Sequence, residues 1–247
     1  MKNFFTIIGG MGTEATETFI HILNSRTKSV VDAKKDQDFL DYILVNDASV
    51  PDRTDYIVDQ SKPNPLDSLS KDIKEQSKLK PDFFVMPCNT AHYFLAELQA
   101  LTDIPIVNMP LETVKAIKKY VPNAKRVGLI ATKGTLYDKI YDHEIVNAGY
   151  QLVLPDSQTE AQTMELIYND VKGKNYVDGP LYHQILSKMV DQLHCDIVVL
   201  GCTELSVAEQ RASGHGYPVI DSQTVLADKA IEMALKNRSA FTSKNQS

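Results

Sequence analysis

Cysteine is scarce in this sequence, and a long apolar run is missing altogether. The three cysteines among 247 residues are odd in number and lack short paired spacing, which argues against a disulfide framework and fits a reducing cytoplasm. No apolar stretch reaches the roughly 18 residues that a membrane span requires. The apolar run at 4–8 is too short for a signal peptide and leads directly into a glycine turn. We therefore expect a cytoplasmic protein whose first element is a β-strand.

Positive charge is also in short supply. The 26 Lys and Arg residues are outnumbered by 32 Asp and Glu residues, which gives a net charge of −6. This balance argues against nucleic acid and against an anionic membrane surface as partners. The length suits either one large α/β domain or two domains of about 120 residues each.

The stretch around Cys88 is the first with a chemical signature. The apolar residues 83–86 predict a buried strand, which ends at Pro87 and places Cys88 on a turn. Asn89 and Thr90 are favourable N-cap residues before a helical segment over 92–100. A thiol between a strand end and a helix start lies near the positive end of the helix dipole. We therefore expect the pKa of this thiol to be lowered.

The same arrangement occurs a second time around Cys202. Residues 196–201 predict an apolar strand, Cys202 lies on the turn, and Thr203-Glu204 opens the next helix. The same lowering of the thiol pKa is expected at this corner. Cys195 precedes its strand instead of ending it, so we interpret it as a small apolar core residue. Two strand–cysteine–helix corners in one chain suggest a two-thiol active site.

The two halves of the chain repeat one order of elements. Strands are predicted at 4–8, 39–45, 83–86 and 105–108, and again at 127–131, 150–154, 197–200 and 218–220. The two cysteine corners are 114 positions apart, and Asn108 and Asp221, which end the two fourth strands, are 113 apart. This repeat predicts an α/β fold of two pseudo-symmetric lobes, 1–110 and 111–218. Each lobe would be a parallel sheet flanked by helices, with the active site in the cleft between the lobes.

Two thiols that face each other across a cleft suit inversion at a carbon acid. One thiolate removes the Cα proton while the opposite thiol returns a proton on the other face, and a tuned thiol can serve in either role. The Cα proton of an amino acid is far less acidic than a thiol. The site must therefore stabilise the carbanion with aimed N–H groups and by excluding water. The turns at 9–12 and 132–135 are candidate donors to a carboxylate.

Three motifs resemble the aspartate/glutamate racemase family. They are Gly-Gly-Met-Gly-x-Glu-Ala-Thr at 9–16, Pro-Cys-Asn-Thr-Ala-His at 87–92 and Gly-Cys-Thr-Glu-Leu at 201–205, and the first and third resemble its aspartate racemase branch. Thr13 is a departure, because aspartate racemases commonly carry Pro there. The resemblance implies interconversion of L- and D-aspartate, with glutamate as a further substrate. It also implies a homodimer that needs neither pyridoxal phosphate nor a metal, with the segment 219–247 packed back onto lobe one.

The resemblance implies a set of site residues as well. Cys88 and Cys202 would be the catalytic acid and base. Arg53 would grip the side-chain carboxylate of an acidic amino acid through two parallel hydrogen bonds, and Lys172 would close over the ligand from lobe two. The expected substrate-binding residues are Gly10, Met11, Arg53, Asn89, Thr90, Thr132, Thr135, Lys172, Thr203 and Glu204.

Other interpretations stay open at this point. Relatives with the same fold include glutamate and hydantoin racemases, maleate isomerases and decarboxylases, although retention of both cysteines argues against a one-cysteine decarboxylase. A non-catalytic two-lobed binder of acidic amino acids is the alternative from another class. Cys88 and His92 have a helical spacing that metal ligands use, but further ligands are lacking and no metal is expected. The glycine turn also occurs in dinucleotide-binding folds, yet no acidic residue clearly ends strand two before Asp47.

Overall fold

Two parallel β-sheets, one from each half of the chain, form the frame of the computed structural model. The structure describes the backbone of residues 3–244 and the side chains of residues 3–239; positions 1–2 and 245–247 of the predicted lobes lie outside the described residues. The first sheet has the strand order β2-β1-β3 and the second β5-β4-β6-β7, and every pairing is parallel. The strands are β1 (Phe5–Gly9), β2 (Tyr42–Asn46), β3 (Phe84–Val85), β4 (Arg126–Ala131), β5 (Gln151–Val153), β6 (Ile197–Gly201) and β7 (Val219–Asp221).

Helices flank both sheets, so the predicted α/β architecture is confirmed. They are α1 (Thr13–Val31), α2 (Arg53–Val58), α3 (Pro65–Ser77), α4 (Leu95–Gln99), α5 (Met109–Tyr120), α6 (Lys133–Tyr137), α7 (Asp142–Asn147), α8 (Ser157–Met164), α9 (Gly179–Ser187), α10 (Thr203–Ala212) and α11 (Ser222–Lys244). Glu165–Lys172 and Lys188–Gln192 continue α8 and α9 as π-helical segments. Within the described range, no helix combines the length and apolar character needed to cross a bilayer.

Three local predictions were wrong in detail. Residues 105–108 do not form a full strand: Ile106 makes only an isolated parallel bridge to Phe84. The physical reason is that Pro105 has no N–H to donate, and the side chain of Asn108 already caps α5 by accepting from the N–H of Leu111. The helix predicted to start at residue 92 begins as a 3₁₀ turn, Thr90–Phe94. The polar residues 49–54, from which the sequence predicts a loop, end inside α2, which Asp52 caps by accepting from the N–H of Asp55.

The segment that follows residue 218 packs against the first sheet and adds a strand to the second. Leu226, Ala230 and Ile231 of α11 are buried in the same cluster as Phe5 and Ile7 of β1. In contrast, β7 hydrogen bonds to β6 in the second sheet. The packing against lobe one that was expected for 219–247 therefore does not extend to residues 219–221. The lobe boundaries at 110 and 218 stay predictions.

Tight turns at the carboxyl ends of the strands position the functional loops. Gly10, directly after β1, has a φ of +89°, and a Cβ atom there would lie 2.4 Å from the backbone of Asp47. Only glycine fits this position, and the next residue, Met11, packs in the same apolar cluster as Ile8 and Val50. After β4, Thr132 caps α6 by accepting a hydrogen bond of 3.2 Å from the N–H of Thr135. Both turns bring their loops to the edge where the strands end.

Candidate active site

A narrow pocket lies between the two lobes where these loops meet. Cys88 reaches it from the loop after β3 and Cys202 from the end of β6, so both predicted cysteine corners share one site. The two cysteines are only 5% and 3% exposed. The lining residues are Met11, Asp52, Arg53, Thr54, Cys88, Asn89, Thr90, Thr132, Tyr168, Lys172, Cys202, Thr203 and Glu204.

Ten of the twelve predicted site residues line the pocket, and the other two lie behind it. The N–H of Gly10 donates to the hydroxyl of Thr16 at 2.9 Å and supports the turn rather than the pocket wall. The hydroxyl of Thr135 lies 3.0 Å from that of Thr90 and 3.2 Å from that of Thr132. These three buried threonines join the two lobes at the pocket, which Thr90 and Thr132 line.

Arg53 is held rigidly beside the first thiol. Its guanidinium donates to the backbone carbonyls of Met11 at 2.9 Å, Pro51 at 3.0 Å and Val50 at 3.3 Å. Its Nε–H has no partner among the described residues. Burial works to lower the pKa of Arg53, but Cys88 and Asp52 close by raise it above its ordinary value. Arg53 therefore supplies a permanent positive charge and a free donor at the Cys88 corner.

A carboxylate, instead of a cation, lies beside the second thiol. The Sγ of Cys202 donates to Oε2 of Glu204 at 2.9 Å, and the hydroxyl of Thr203 donates to the same oxygen at 3.2 Å. Burial, and next the negative charge of Glu204, raise the pKa of the Cys202 thiol well above its ordinary value, although Lys172 opposes them. The expected lowering of the thiol pKa at this helix start was wrong for Cys202, because burial and an adjacent carboxylate outweigh the helix dipole.

Lys172 connects the two lobes above the pocket. Its Nζ lies 3.7 Å from Oε1 of Glu204, 3.8 Å from Oδ2 of Asp52 and 4.3 Å from the ring centre of Tyr168. Burial alone would lower the pKa of Lys172, but Glu204 and Tyr168 raise it. The hydroxyl of Tyr168 also donates to Asp52 at 3.4 Å. Burial raises the pKa of Tyr168 to about 12, so this phenol stays protonated near neutral pH.

Sequence reasoning missed three lining residues, namely Asp52, Thr54 and Tyr168. Two of them had an available signal. Asp52 precedes Arg53 in the same polar loop, and Tyr168 lies four residues before Lys172, which is one helical turn. Their meeting across the cleft depends on how the lobes pack, and no sequence spacing predicts that distance.

His92 and Cys195 are not among the residues that line the pocket. Nδ1 of His92 lies 2.9 Å from the carbonyl oxygen of Cys88, and its Nε2 accepts from the N–H of Met109 at 3.1 Å. Both ring nitrogens are thus used by the backbone. Cys195 packs in the core of the second sheet, where burial raises its thiol pKa to about 11. Across residues 3–244, no group of three or more His, Cys, Asp and Glu side chains is arranged to hold a metal ion.

Racemases are among the known proteins with similar sequences or folds. A sequence model of the family described as Asp/Glu/Hydantoin racemase matches residues 8–230. The broad-specificity amino-acid racemase RacX of Bacillus subtilis is 25% identical over 238 residues, which cover 94% of this chain and 99% of RacX. The solved aspartate racemase of Picrophilus torridus has 29% identity and a TM-score of 0.77, with 94% of each chain covered. Glutamate racemase of Francisella tularensis, solved with D-glutamate, shares the fold at 16% identity and a TM-score of 0.62, over 96% of this chain and 82% of that one.

The match to the family extends through both lobes and includes both cysteine corners. The fold, with two parallel sheets flanked by helices, is that of two-lobed racemase structures. The chain is therefore a racemase, an isomerase of the Asp/Glu/Hydantoin racemase family.

Proposed function

We propose that this racemase interconverts L- and D-aspartate, and also acts on glutamate, with Cys88 and Cys202 as its two acid–base groups. The observation that carries the proposal is that the two thiols enter one narrow pocket from opposite lobes. No pyridoxal phosphate and no metal take part in the proposed mechanism. The protein would act as a homodimer in the cytoplasm, which light scattering and cell fractionation would test.

Different charged groups lie beside the two cysteines before the substrate binds. Cys202 retains its proton, because burial and Glu204 both favour the thiol. Cys88 faces the Arg53 cation instead. In the proposed step, the Cys88 thiolate removes the Cα proton, the electron pair passes to the α-carboxylate as an ene-diolate, and the Cys202 S–H delivers its proton to the opposite face. The product has inverted configuration, with a thiol at Cys88 and a thiolate at Cys202, and the reverse direction uses the same groups in exchanged roles.

Glu204 and Lys172 assist the second thiol. Glu204 accepts the Cys202 hydrogen bond, so it can take up the thiol proton when Cys202 must act as the base. Lys172, at 3.7 Å from the other oxygen of Glu204, balances the negative charge that this corner acquires once Cys202 is a thiolate. The pair lets a deeply buried thiol change protonation state without contact with bulk water.

Recognition of a dicarboxylic substrate would rest on Arg53 and Lys172. The free Nε–H of Arg53 is a donor for a substrate carboxylate. The hydroxyls of Thr90 and Thr132 also line the pocket, whereas that of Thr203 already donates to Glu204. Asp52 and Glu204 supply acceptors for the substrate ammonium group.

A wider amino-acid specificity is the second candidate function. The two cations of the pocket, Arg53 and Lys172, are matched by two carboxylates, Asp52 and Glu204. A pocket with this balance has no excess positive charge to select a second substrate carboxylate. The relative RacX is named as a broad-specificity racemase, and that name agrees with such a pocket.

Chiral chromatography would distinguish these candidates. Purified protein is incubated with L-Asp, L-Glu, L-Asn and L-Ala, and the D-enantiomers are quantified, with and without a chelator and hydroxylamine. The proposal expects D-Asp to form fastest, with no loss of activity in either reagent. Similar rates on all four amino acids would favour the broad-specificity candidate. Saturable binding of L-Asp without any D-enantiomer would contradict both.

A further inference from the structure

The side chain of Asn89, next to the first cysteine, is engaged by two residues from the other half of the chain. Its Oδ1 accepts a hydrogen bond from the hydroxyl of Tyr141. Its Nδ2 donates to Oγ of Ser222 at 3.0 Å. Ser222 in turn donates to the carbonyl oxygen of Leu200 at 2.7 Å. Asn89, Tyr141 and Ser222 are each no more than 1% exposed.

This chain of hydrogen bonds runs from one cysteine corner to the other. Asn89 directly follows Cys88, and Leu200 lies two residues before Cys202 in β6. Ser222 is the first residue of α11, at the point where β7 ends. The path thus joins the Cys88 loop to the strand that presents Cys202. Because the residues of this path are buried, each hydrogen bond is electrostatically stronger than it would be in water.

The same contacts change the expected role of Asn89. Its amide group was expected to bind substrate, but its oxygen and its nitrogen already have buried protein partners. Breaking either contact to bind a ligand would leave the buried hydroxyl of Tyr141 or of Ser222 without one of its hydrogen-bond partners. The side chain therefore fixes the Cys88 loop as well, while its second N–H stays available to a ligand in the pocket that Asn89 lines.

We propose that the bridge formed by Tyr141, Asn89 and Ser222 sets the separation of the two catalytic thiols across the cleft, which makes Tyr141 and Ser222 positioning residues for racemisation. The inference rests on the proposed two-thiol function, because only a reaction that uses both thiols at one Cα depends on their separation. A displacement that leaves one thiol in reach and moves the other away would permit proton removal but slow inversion. Displacements of about 1 Å can reduce a rate 100-fold.

The test is Tyr141→Phe, with Tyr182→Phe as the matched control. Tyr182 is also fully buried, and its hydroxyl donates to Glu209 at 2.7 Å, away from the pocket. Both variants lose one buried hydroxyl and its hydrogen bond. In Tyr141→Phe we expect kcat for L-Asp to fall about tenfold while KM stays within about twofold. Tyr182→Phe should keep the wild-type kcat even if its melting temperature falls.

Deuterium incorporation distinguishes a displaced thiol from a general loss of stability. In D2O, wild-type enzyme should place deuterium mainly in the inverted product. Tyr141→Phe should raise the fraction of deuterium in recovered L-Asp, because a thiol that removes the proton returns one to the same face when its partner is out of place. Ser222→Ala should reproduce this change, and it serves as the test if Tyr141→Phe does not fold.

Three results would overturn the inference, and they differ in what they mean for the proposed function. If wild type racemises L-Asp but Tyr141→Phe and Ser222→Ala keep its kcat and deuterium distribution, the bridge does not set the spacing and the proposed function stands. Equal losses of kcat in Tyr141→Phe and Tyr182→Phe, with no change in deuterium distribution, lead to the same conclusion. If wild type racemises none of the four amino acids, the proposed function fails and the bridge fails with it.

Discussion

The thiol of Cys202 donates a hydrogen bond to the carboxylate of Glu204 over 2.9 Å, and both residues are buried. Burial and this carboxylate raise the pKa of Cys202, so at neutral pH the sulfur keeps its proton until a substrate carbanion or Glu204 takes it. The relationship distinguishes Cys202 from Cys88, whose charged neighbour is the cation of Arg53. Two cysteines with similar sequence surroundings therefore lie beside charged groups of opposite sign.

Replacing Glu204 should change both the activity and the titration of Cys202. Glu204→Gln removes a negative charge that raises the thiol pKa, so that pKa falls and alkylation of Cys202 by iodoacetamide begins at lower pH. Glutamine cannot take up the thiol proton, and kcat/KM should fall about 10- to 100-fold. The measurements are racemisation rates and mass spectrometry of alkylated Cys202 from pH 6 to 10. Glu209→Gln, on the same helix, is the control, and an unchanged alkylation profile in Glu204→Gln would contradict the assignment.

Cys88 and Cys202 should be equally indispensable in both directions if they are the two acid–base groups. A Cys→Ser change raises the pKa of the acid–base group by many units, so Cys88→Ser and Cys202→Ser should each lose at least about 10³-fold in kcat/KM. Because the two enantiomers have equal free energies, the loss must be the same from L-Asp and from D-Asp. Cys195→Ala, a buried cysteine off the site, is the control and should keep activity. A Cys88 or Cys202 variant that keeps more than about a tenth of the wild-type rate would contradict the two-base mechanism.

Arg53 should determine how well an acidic side chain is recognised. Arg53→Ala should cost about 2–5 kcal/mol in kcat/KM for L-Asp, because a substrate carboxylate is left without its partner. Arg53→Lys should recover little, since lysine cannot donate to three backbone carbonyls and a substrate together. Lys172→Ala should lose less than Arg53→Ala.

The ratio of the rates on L-Asp and L-Ala decides whether this effect is one of recognition. Loss of Arg53 should reduce the rate on L-Asp more than that on L-Ala. Arg126→Lys is the matched control, because Arg126 also donates to backbone carbonyls, those of Leu193 and His194, but lies away from the pocket. If Arg53→Ala stays within about threefold of wild type on L-Asp, Arg53 does not bind the substrate.

His92 should make the protein less stable in mild acid. Burial lowers the pKa of this imidazole, which stays neutral in the fold because one nitrogen accepts from Met109 and the other bonds to Cys88. Below about pH 6.5 the unfolded chain binds a proton at His92 and the folded chain does not, so the free energy of unfolding falls as pH falls. The maximum slope from this group is about 1.4 kcal/mol per pH unit.

Urea unfolding of wild type and His92→Gln between about pH 7.5 and 5 tests this linkage. The stability advantage of wild type should shrink as pH falls. His143→Gln, at an exposed position of α7, provides the control for loss of an ordinary histidine. A difference between wild type and His92→Gln that is constant with pH would show that His92 contributes only through packing.

Local sequence patterns were sufficient to find the two cysteine corners, since each needs only an apolar strand, a turn and a helix start in succession. They failed for the protonation of Cys202, because that depends on burial by the whole fold and on the rotamer that brings Glu204 to its sulfur. They also failed at 105–108, where apolar residues suggested a strand but Pro105 limits the ladder to one bridge.

Contacts between the lobes could not be predicted from spacing at all. Asp52 meets Lys172 at 3.8 Å although 120 positions separate them in the sequence. Tyr141 lies outside every motif, and nothing in its neighbourhood suggests that its hydroxyl reaches Asn89. These distances depend on how the two lobes pack against each other.

The placement of α11 has a consequence for synthesis on the ribosome. Its residues Leu226, Ala230 and Ile231 complete the apolar core around β1, although β1 leaves the exit tunnel more than 200 residues earlier. Nascent chains generally fold domain by domain from the amino terminus, but the first sheet here must wait, with apolar surface uncovered, while the second lobe is made. The apolar core around β1 is therefore complete only when α11 has been made.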